Sequence, residues 1–349
     1  MTPDRRTLFI SAFDVCRLID LVGLSSFMER LSERIRKDFL RWPEFQKSAR
    51  TANHSPGGVI ELMPVSDKSH FSFKYVTGHP QNPLTGLPTI MGLGALSDFH
   101  NGWPLMICEM TLLTAIRTAA TSVVAAKELA NKDARSMAMI GNGAQSEFQI
   151  LAFFNQLGIT RANLFDTDPD ATEKLISNLT RVKGLQLVRH DSVASAVANT
   201  HIVTTSTADK TRAQILTPEM IEPGMHVNAV GGDCPEKTEL HPDILSKSKV
   251  FVEFEPQSRI EGEIQQMPPT FPVTELWQVL RGCQPGRTSA SEVTVFDSVG
   301  FSIEDFSALT LVYELACTHG IGSELDLIPK LSNTKDLYGY LTSALSPGQ

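Results

Sequence analysis

The spacing of apolar residues changes character near residue 111. Before that point one stripe recurs at helical spacing, with Phe27, Met28, Leu31, Ile35 and Phe39 on one face of residues 25–41, which predicts an amphipathic helix. Strand-like apolar runs follow at 49–54, 58–65, 71–77, 89–96 and 104–110, separated by turn formers such as Ser55-Pro56-Gly57-Gly58 and Asn101-Gly102. Successive strands joined by short turns predict antiparallel pairing. From 111 to 130 the chain reads as one long helix rich in Ala and Thr. Short apolar strands at 136–140, 163–166, 186–189, 202–206, 226–230, 250–254 and 294–298 then alternate with helices that include 145–157, 171–181 and 193–198. Such alternation predicts parallel βαβ units in a doubly wound sheet, hence an α/β fold. The last clear helix begins at Ser302, where Ser302-Ile303-Glu304-Asp305 reads as a capping box, and stops at Gly320. The tail beyond carries weak signals and is expected to fold back on the first domain.

Length and composition narrow the class. At roughly 150 residues per domain, the 349-residue chain makes two. With 42% hydrophobic and 20% charged residues it has the makings of a sizeable core. The net charge of −8, without a Lys/Arg stripe, argues against nucleic acid. The apolar stretch 8–24 is interrupted by Asp14, Arg17 and Asp20, so neither a signal peptide nor a membrane span is expected. Five scattered cysteines, with no C-x-x-C or metal-ligand spacing, read as reduced thiols of a cytosolic protein without a metal site.

Several stretches then carry candidate chemistry. The run Met137 to Ile140 leads into Gly141-Asn142-Gly143-Ala144-Gln145-Ser146 and a helix. A dinucleotide site needs this arrangement, because glycines let the backbone approach a pyrophosphate and a helix N-terminus offers unpaired N–H groups. Ser146 stands where a third glycine is usual, and a small residue still permits close packing there. Asp166, at the end of the next strand, suits the ribose hydroxyls of NAD and would repel the 2′-phosphate of NADP. Asp166-Thr167-Asp168-Pro169 is equally good turn chemistry. Val230-Gly231-Gly232-Asp233 follows an apolar strand, and its glycines would let the backbone lie against a nicotinamide while delivering Asp233 into the same crevice; Asp297-Ser298-Val299-Gly300 could line that crevice too. Lys74 in an apolar strand, Arg117 on a helix of Thr, Leu and Ala, Arg50, and Glu61 in Val59-Ile60-Glu61-Leu62-Met63 are charges on buried-looking elements. Each is costly to bury unless paired. Singly they read as edge-facing side chains; together they suit a zwitterionic amino acid.

These same runs carry a resemblance. Lys47-Ser48-Ala49-Arg50, Gly58 to Pro64, Phe73-Lys74-Tyr75-Val76, Arg117-Thr118-Ala119-Ala120, Gly141 to Gln149, Asn228 to Pro235 with Lys237 to Leu240, Arg259 to Gln266 and Val295 to Gly300 are similar to the bacterial ornithine cyclodeaminases of the ornithine cyclodeaminase/mu-crystallin family. The likeness extends from about residue 8 to 340. It implies a Rossmann-type NAD domain over 117–325, and an α+β substrate-binding and dimerisation domain from 1–116 together with 326–349. It implies that Arg50, Lys74 and Arg117 bind the substrate carboxylate, that Asp233 is the acid/base, and that Glu61 faces the amine. The cofactor would be held by Thr89, Arg117, Gly141, Gly143, Ala144, Gln145, Asp166, Thr207, Val230, Gly231, Gly232, Asp233, Lys237 and Ser298, while Val299 meets the substrate through its backbone. Glu236 departs from the motif, where a small residue is expected.

The implied reaction is closure of L-ornithine to L-proline with loss of ammonia and with catalytic NAD, in a cytoplasmic homodimer. An alkylamine has a pKa of about 10.4 and must lose a proton before it attacks. Asp233 could take that proton if burial raises its carboxyl toward neutrality. Lysine cyclodeamination, cyclic-imine reduction and alanine dehydrogenation are alternatives on the same scaffold, since one methylene is worth only about 1–3 kcal/mol. A cofactor-binding protein without turnover, like mu-crystallin in some tissues, is the alternative outside enzymology.

Overall fold

The computed structural model describes residues 6–208 and 212–345; positions 1–5 and 346–349 of the expected first domain lie outside them. Strand β1 (Thr7–Ile10) leads into helices α1 (Ala12–Val22) and α2 (Leu24–Leu40). The strands β2 (Gln46–Lys47), β3 (Thr51–Ser55), β4 (Gly58–Ser66), β5 (His70–Gly78), β6 (Ile90–Asp98) and β7 (Pro104–Glu109) follow. The strand expected at 49–54 starts later, as β3 at Thr51, and Arg50 lies in the link between it and the unexpected short strand β2. These strands form one sheet in the order β1-β7-β6-β5-β4-β2, with β3 also paired to β4. Pairing is antiparallel as expected, except between β1 and β7, which run parallel.

Alternation decides which charges face inward. In β4, Val59, Glu61, Met63 and Val65 are buried while Ile60 and Leu62 are exposed. In β5, Ser72, Lys74 and Val76 point to the same inner face, with Met63 opposite Lys74 and Glu61 opposite Val76. A period of two therefore puts both charges under the sheet, not at its edge.

Helix α3 (Thr111–Leu129) carries the chain to the second sheet. Its Ala119, Ala120, Thr121 and Ser122 are buried, and such small side chains let neighbouring helices approach closely. The second half runs β8 (Ser136–Ile140), α4 (Ser146–Leu157), β9 (Arg161–Phe165), α5 (Pro169–Leu179), β10 (Gln186–Arg189), α6 (Val193–Val197), β11 (Ile202–Thr205), β12 (Arg212–Leu216), β13 (His226–Ala229), β14 (Thr238–Leu240), α7 (Pro242–Ser246), β15 (Lys249–Val252), α8 (Glu255–Glu261), β16 (Thr274–Glu275), α9 (Leu276–Leu280) and β17 (Thr294–Asp297). Its sheet is parallel throughout, in the order β10-β9-β8-β11-β13-β17-β15-β16. Strands β8 and β11 are neighbours though not consecutive, which makes their carboxyl ends the switch point where such sheets bind ligands.

Helix α10 (Ser302–His319) then crosses back and packs on the first sheet with α2 and α3. It ends at Gly320 with φ 63°, as expected. Its start differs from expectation. Phe301 is the N-cap and no side chain caps the helix, because Glu304 and Asp305 turn inward to buried cations instead of back to the helix terminus. A capping box does form at α1, between Ser11 and Asp14. One apolar core runs from Phe27, Ile35 and Phe39 through Ile116 and Val123 to Phe153, Phe296 and Leu309, joining both sheets. The tail returns to the first sheet: β18 (Ser323–Leu325) pairs with β1, while α11 (Leu337–Leu345) buries none of its residues. Among the described residues no helix is long and apolar enough to cross a membrane.

Candidate active site

A cavity opens between the inner face of the first sheet and the carboxyl ends of β8, β11, β13 and β17. Gly143, Ala144, Gln145, Ser206, Thr207, Val230 and Gly231 form one wall. The chain approaches closely here because two glycines are obligatory. Gly141 has φ +92°, and a Cβ on it would sit 2.5 Å from the Ser206 carbonyl oxygen. A Cβ on Gly231 would fall 2.0 Å from Glu239 Oε1. Asp166 Oδ2 accepts the Asn142 N–H at 2.5 Å and Oδ1 accepts that of Asp168 at 2.8 Å. Asp166 therefore serves as a turn residue and also bonds the Gly-rich loop itself.

Buried carboxylates hold this wall from behind. Glu239 Oε1 accepts the Thr207 N–H at 2.7 Å and Oε2 accepts that of Gly231 at 3.1 Å, tying two turns together. Glu263 accepts the N–H groups of Glu239 and Leu240, and Asp297 those of Glu263 and Ile264. Glu253 accepts the Ser298 hydroxyl and the N–H groups of Val299 and Gly300. Burial raises Asp297 and Glu253 to about 7, although hydrogen bonds pull both back down.

The opposite wall is built from side-chain charge. Lys74 Nζ lies 2.8 Å from Asp305 Oδ1, and Arg117 Nε lies 3.0 Å from the same oxygen. Arg117 Nη1 meets Glu304 Oε2 at 2.5 Å. Arg50 is held by Glu61 Oε2 at 3.0 Å and Glu261 Oε2 at 3.1 Å, and it donates to the carbonyls of Val299 and Gly300. All three cations are buried. Burial lowers Lys74 to about 8; Arg117 and Arg50 add to the fall and Asp305 opposes it. Burial likewise raises Glu304 to about 8 and Glu261 to about 7, and neighbouring Arg117 and Arg50 respectively resist it. Val59, Met63 and Val76 supply the apolar lining.

Of the residues singled out in the sequence, Arg50, Glu61, Lys74, Thr89, Arg117, Gly143, Ala144, Gln145, Thr207, Val230, Gly231, Asp233, Lys237, Ser298 and Val299 line this one cavity. Gly141, Asp166 and Gly232 stand behind it; Gly232 backs onto Glu263. Asp233 faces the charged wall from the β13 turn, with its Oδ1 accepting from Lys237 Nζ at 3.0 Å. The side chain of Asp233 is 43% exposed, so the burial expected of it is not seen in the structure. Glu236 takes φ +65°, a conformation that favours glycine, which accounts for the small residue expected there. Sequence reasoning passed over Glu239, Glu253, Glu261, Glu263, Glu304 and Asp305. The signal was available for some. Glu253 is a lone charge in Phe251-Val252-Glu253-Phe254, and Glu304-Asp305 opens an apolar helix, the same anomaly that marked Lys74.

Residues 14–320 match the ornithine cyclodeaminase/mu-crystallin family. A protein of Brucella suis biovar 1 named ornithine cyclodeaminase is 52% identical over 333 residues, which span 95% of this chain and 93% of that protein. A solved lysine cyclodeaminase, described with recognition of L-lysine, L-ornithine and L-2,4-diaminobutyric acid, superposes with a TM-score of 0.90 at 28% identity, covering 95% of this chain and 99% of its own. An archaeal alanine dehydrogenase, solved as a dimer with bound NAD, gives a TM-score of 0.85 at 29% identity over 93% of this chain and all of its own.

Proposed function

The chain belongs to the ornithine cyclodeaminase/mu-crystallin family, and on that premise we propose that it converts L-ornithine to L-proline and ammonia with catalytic NAD. One observation carries the reading: three buried cations and Glu61 face Asp233 across a cavity whose far wall is the Gly-rich loop. The residues fit a dinucleotide. Gly141 and Gly231 leave no room for a side chain, Gln145 Oε1 has no hydrogen-bond partner among the described residues, and the loop leading into α4 lines the cavity at Gly143, Ala144 and Gln145.

In this reading Gly143, Ala144, Gln145, Thr207, the Val230–Asp233 turn, Lys237, Ser298 and Thr89 hold NAD, with Asp166, bonded to the Gly-rich loop outside the cavity lining, at the ribose. NAD held there would supply reversible hydride chemistry at the substrate Cα without net consumption. Lys74 and Arg117, with Arg50 beside them, take the substrate carboxylate, and the Val299 backbone packs against the substrate. Glu61 faces the amine. Asp233 removes a proton from the δ-ammonium and Lys237 steadies its carboxylate. The first sheet and the tail form the substrate-binding and dimerisation domain. Its outer row of Leu62, Tyr75 and Leu93, in register across β4, β5 and β6, suits a second copy of the chain. The protein works in the cytoplasm, in keeping with five free cysteines.

The test is product analysis with ornithine and substoichiometric NAD. Proline and ammonia are expected without net NADH, and Cα-deuterated ornithine is expected to yield Cα-deuterated proline even with excess unlabelled NADH. Lysine belongs in the same assay, given the likeness to a lysine cyclodeaminase. Accumulation of NADH with no cyclic product would replace this reading with a dehydrogenase.

A further inference from the structure

We propose that Asp305, backed by Glu304, is a positioning residue that holds Lys74 and Arg117 in one arrangement for the substrate carboxylate. The proposal rests on the reading that these two cations receive that carboxylate. Lys74 comes from β5, Arg117 from the middle of α3 and Asp305 from the first turn of α10, so nothing local in the chain sets the distance between the cations. A single oxygen does so: Asp305 Oδ1 lies 2.8 Å from Lys74 Nζ and 3.0 Å from Arg117 Nε. Lys74 and Asp305 are each 1% exposed, so no solvent shares this work.

The other side of Arg117 is fixed as well. Gly300, with φ +75°, lies against the guanidinium, and a Cβ there would be 2.5 Å from Nη1. Glu304 occupies the same Nη1 at 2.5 Å. Arg117 is thus pinned between the β17–α10 turn and the two carboxylates of α10. The groups facing Lys74 are Asp305, Arg117 and Arg50; those facing Glu304 are Arg117, Glu253, Asp305 and Lys74. Asp305 opposes the burial that lowers Lys74, so its charge also helps keep the ammonium protonated.

Asp305→Asn tests this, because it removes the charge and keeps the shape. The NAD dissociation constant is expected within about twofold of the parent, the ornithine KM raised at least about tenfold, and the alkaline limb of kcat/KM moved to lower pH by about one unit. In Lys74→Met the limb assigned to Lys74 should vanish, and the double variant should lose less than the product of the single losses. An Asp305→Asn protein with unmoved KM and unmoved limb overturns the proposal, as does a fully multiplicative double variant. An unchanged KM in Lys74→Met would instead sink the carboxylate reading beneath it. If Asp305→Asn fails to bind NAD and is misfolded, Asp305→Glu decides: it keeps the charge but displaces it, so KM should rise with the limb in place, and a parental KM overturns the proposal.

Discussion

The two walls of the cavity use the same residue type for opposite purposes. On the cofactor wall, Glu239, Glu263, Asp297 and Glu253 accept from backbone N–H groups and fix the course of the chain. On the substrate wall, Glu61, Glu261, Glu304 and Asp305 meet side-chain cations and fix charge. A carboxylate bound to backbone shapes a surface that a ligand meets as N–H groups and small residues. A carboxylate bound to a cation leaves a field into which a charged ligand must fit. The first arrangement tolerates any ligand with the right outline, and the second selects for one with the right charges.

Four substitutions test how far that division holds. Asp233→Asn should cut kcat most, by about 10²–10⁴-fold as expected for a lost acid/base, while isothermal titration shows NAD still bound. Asp233 sits on the cofactor wall but is proposed to serve the substrate; weakened NAD binding with kcat intact would reassign it. Arg117→Met should raise the ornithine KM by an amount worth about 2–5 kcal/mol, because Glu304 is left without its cation and Asp305 keeps only Lys74. A KM equal to the parent's in steady-state assays would mean that Arg117 is a structural clamp only.

Glu239→Gln should weaken NAD by about tenfold, because charge-assisted bonds to Thr207 and Gly231 are replaced by weaker ones. With NAD saturating, the ornithine KM should stay put, and a KM that moved in step would erase the distinction between the walls. The smallest effect is expected at Glu236→Gly. Relief of the left-handed backbone should stabilise the chain by about 1 kcal/mol in thermal melts, and a lower melting temperature would show that the Glu236 side chain contributes more than its conformation costs.

Legibility in the sequence followed the same division. The cofactor wall was readable because strand, Gly-rich loop and helix are consecutive, so spacing alone carries the chemistry. The parallel sheet was readable for the same reason, apart from the two-residue strand β16. Lys74, Arg117 and Glu61 were visible as charges in apolar surroundings, but their partners were not. Asp305 lies 231 residues from Lys74, and only the return of α10 over the first sheet brings the two together. Local logic even misassigned Ser302-Ile303-Glu304-Asp305 as a helix cap, since a carboxylate near a helix start is ordinarily turned back to the free N–H groups. Here the buried cations outcompete them. Strand β1 and the tail were weak in the sequence because one is short and the other has little core to bury.

The pairing of every buried cation in the cavity also constrains how such a site can diverge. Changing Arg50 strands Glu61 and Glu261 and changing Arg117 strands Glu304, while Lys74 shares Asp305 with Arg117, so each charge is tied to a residue far away in the chain. Val59, Met63 and Val76 face the same space and are uncharged, so they can be exchanged singly without leaving a partner behind. Descent with new substrate preference should therefore run through these three positions while the charges are inherited as a block.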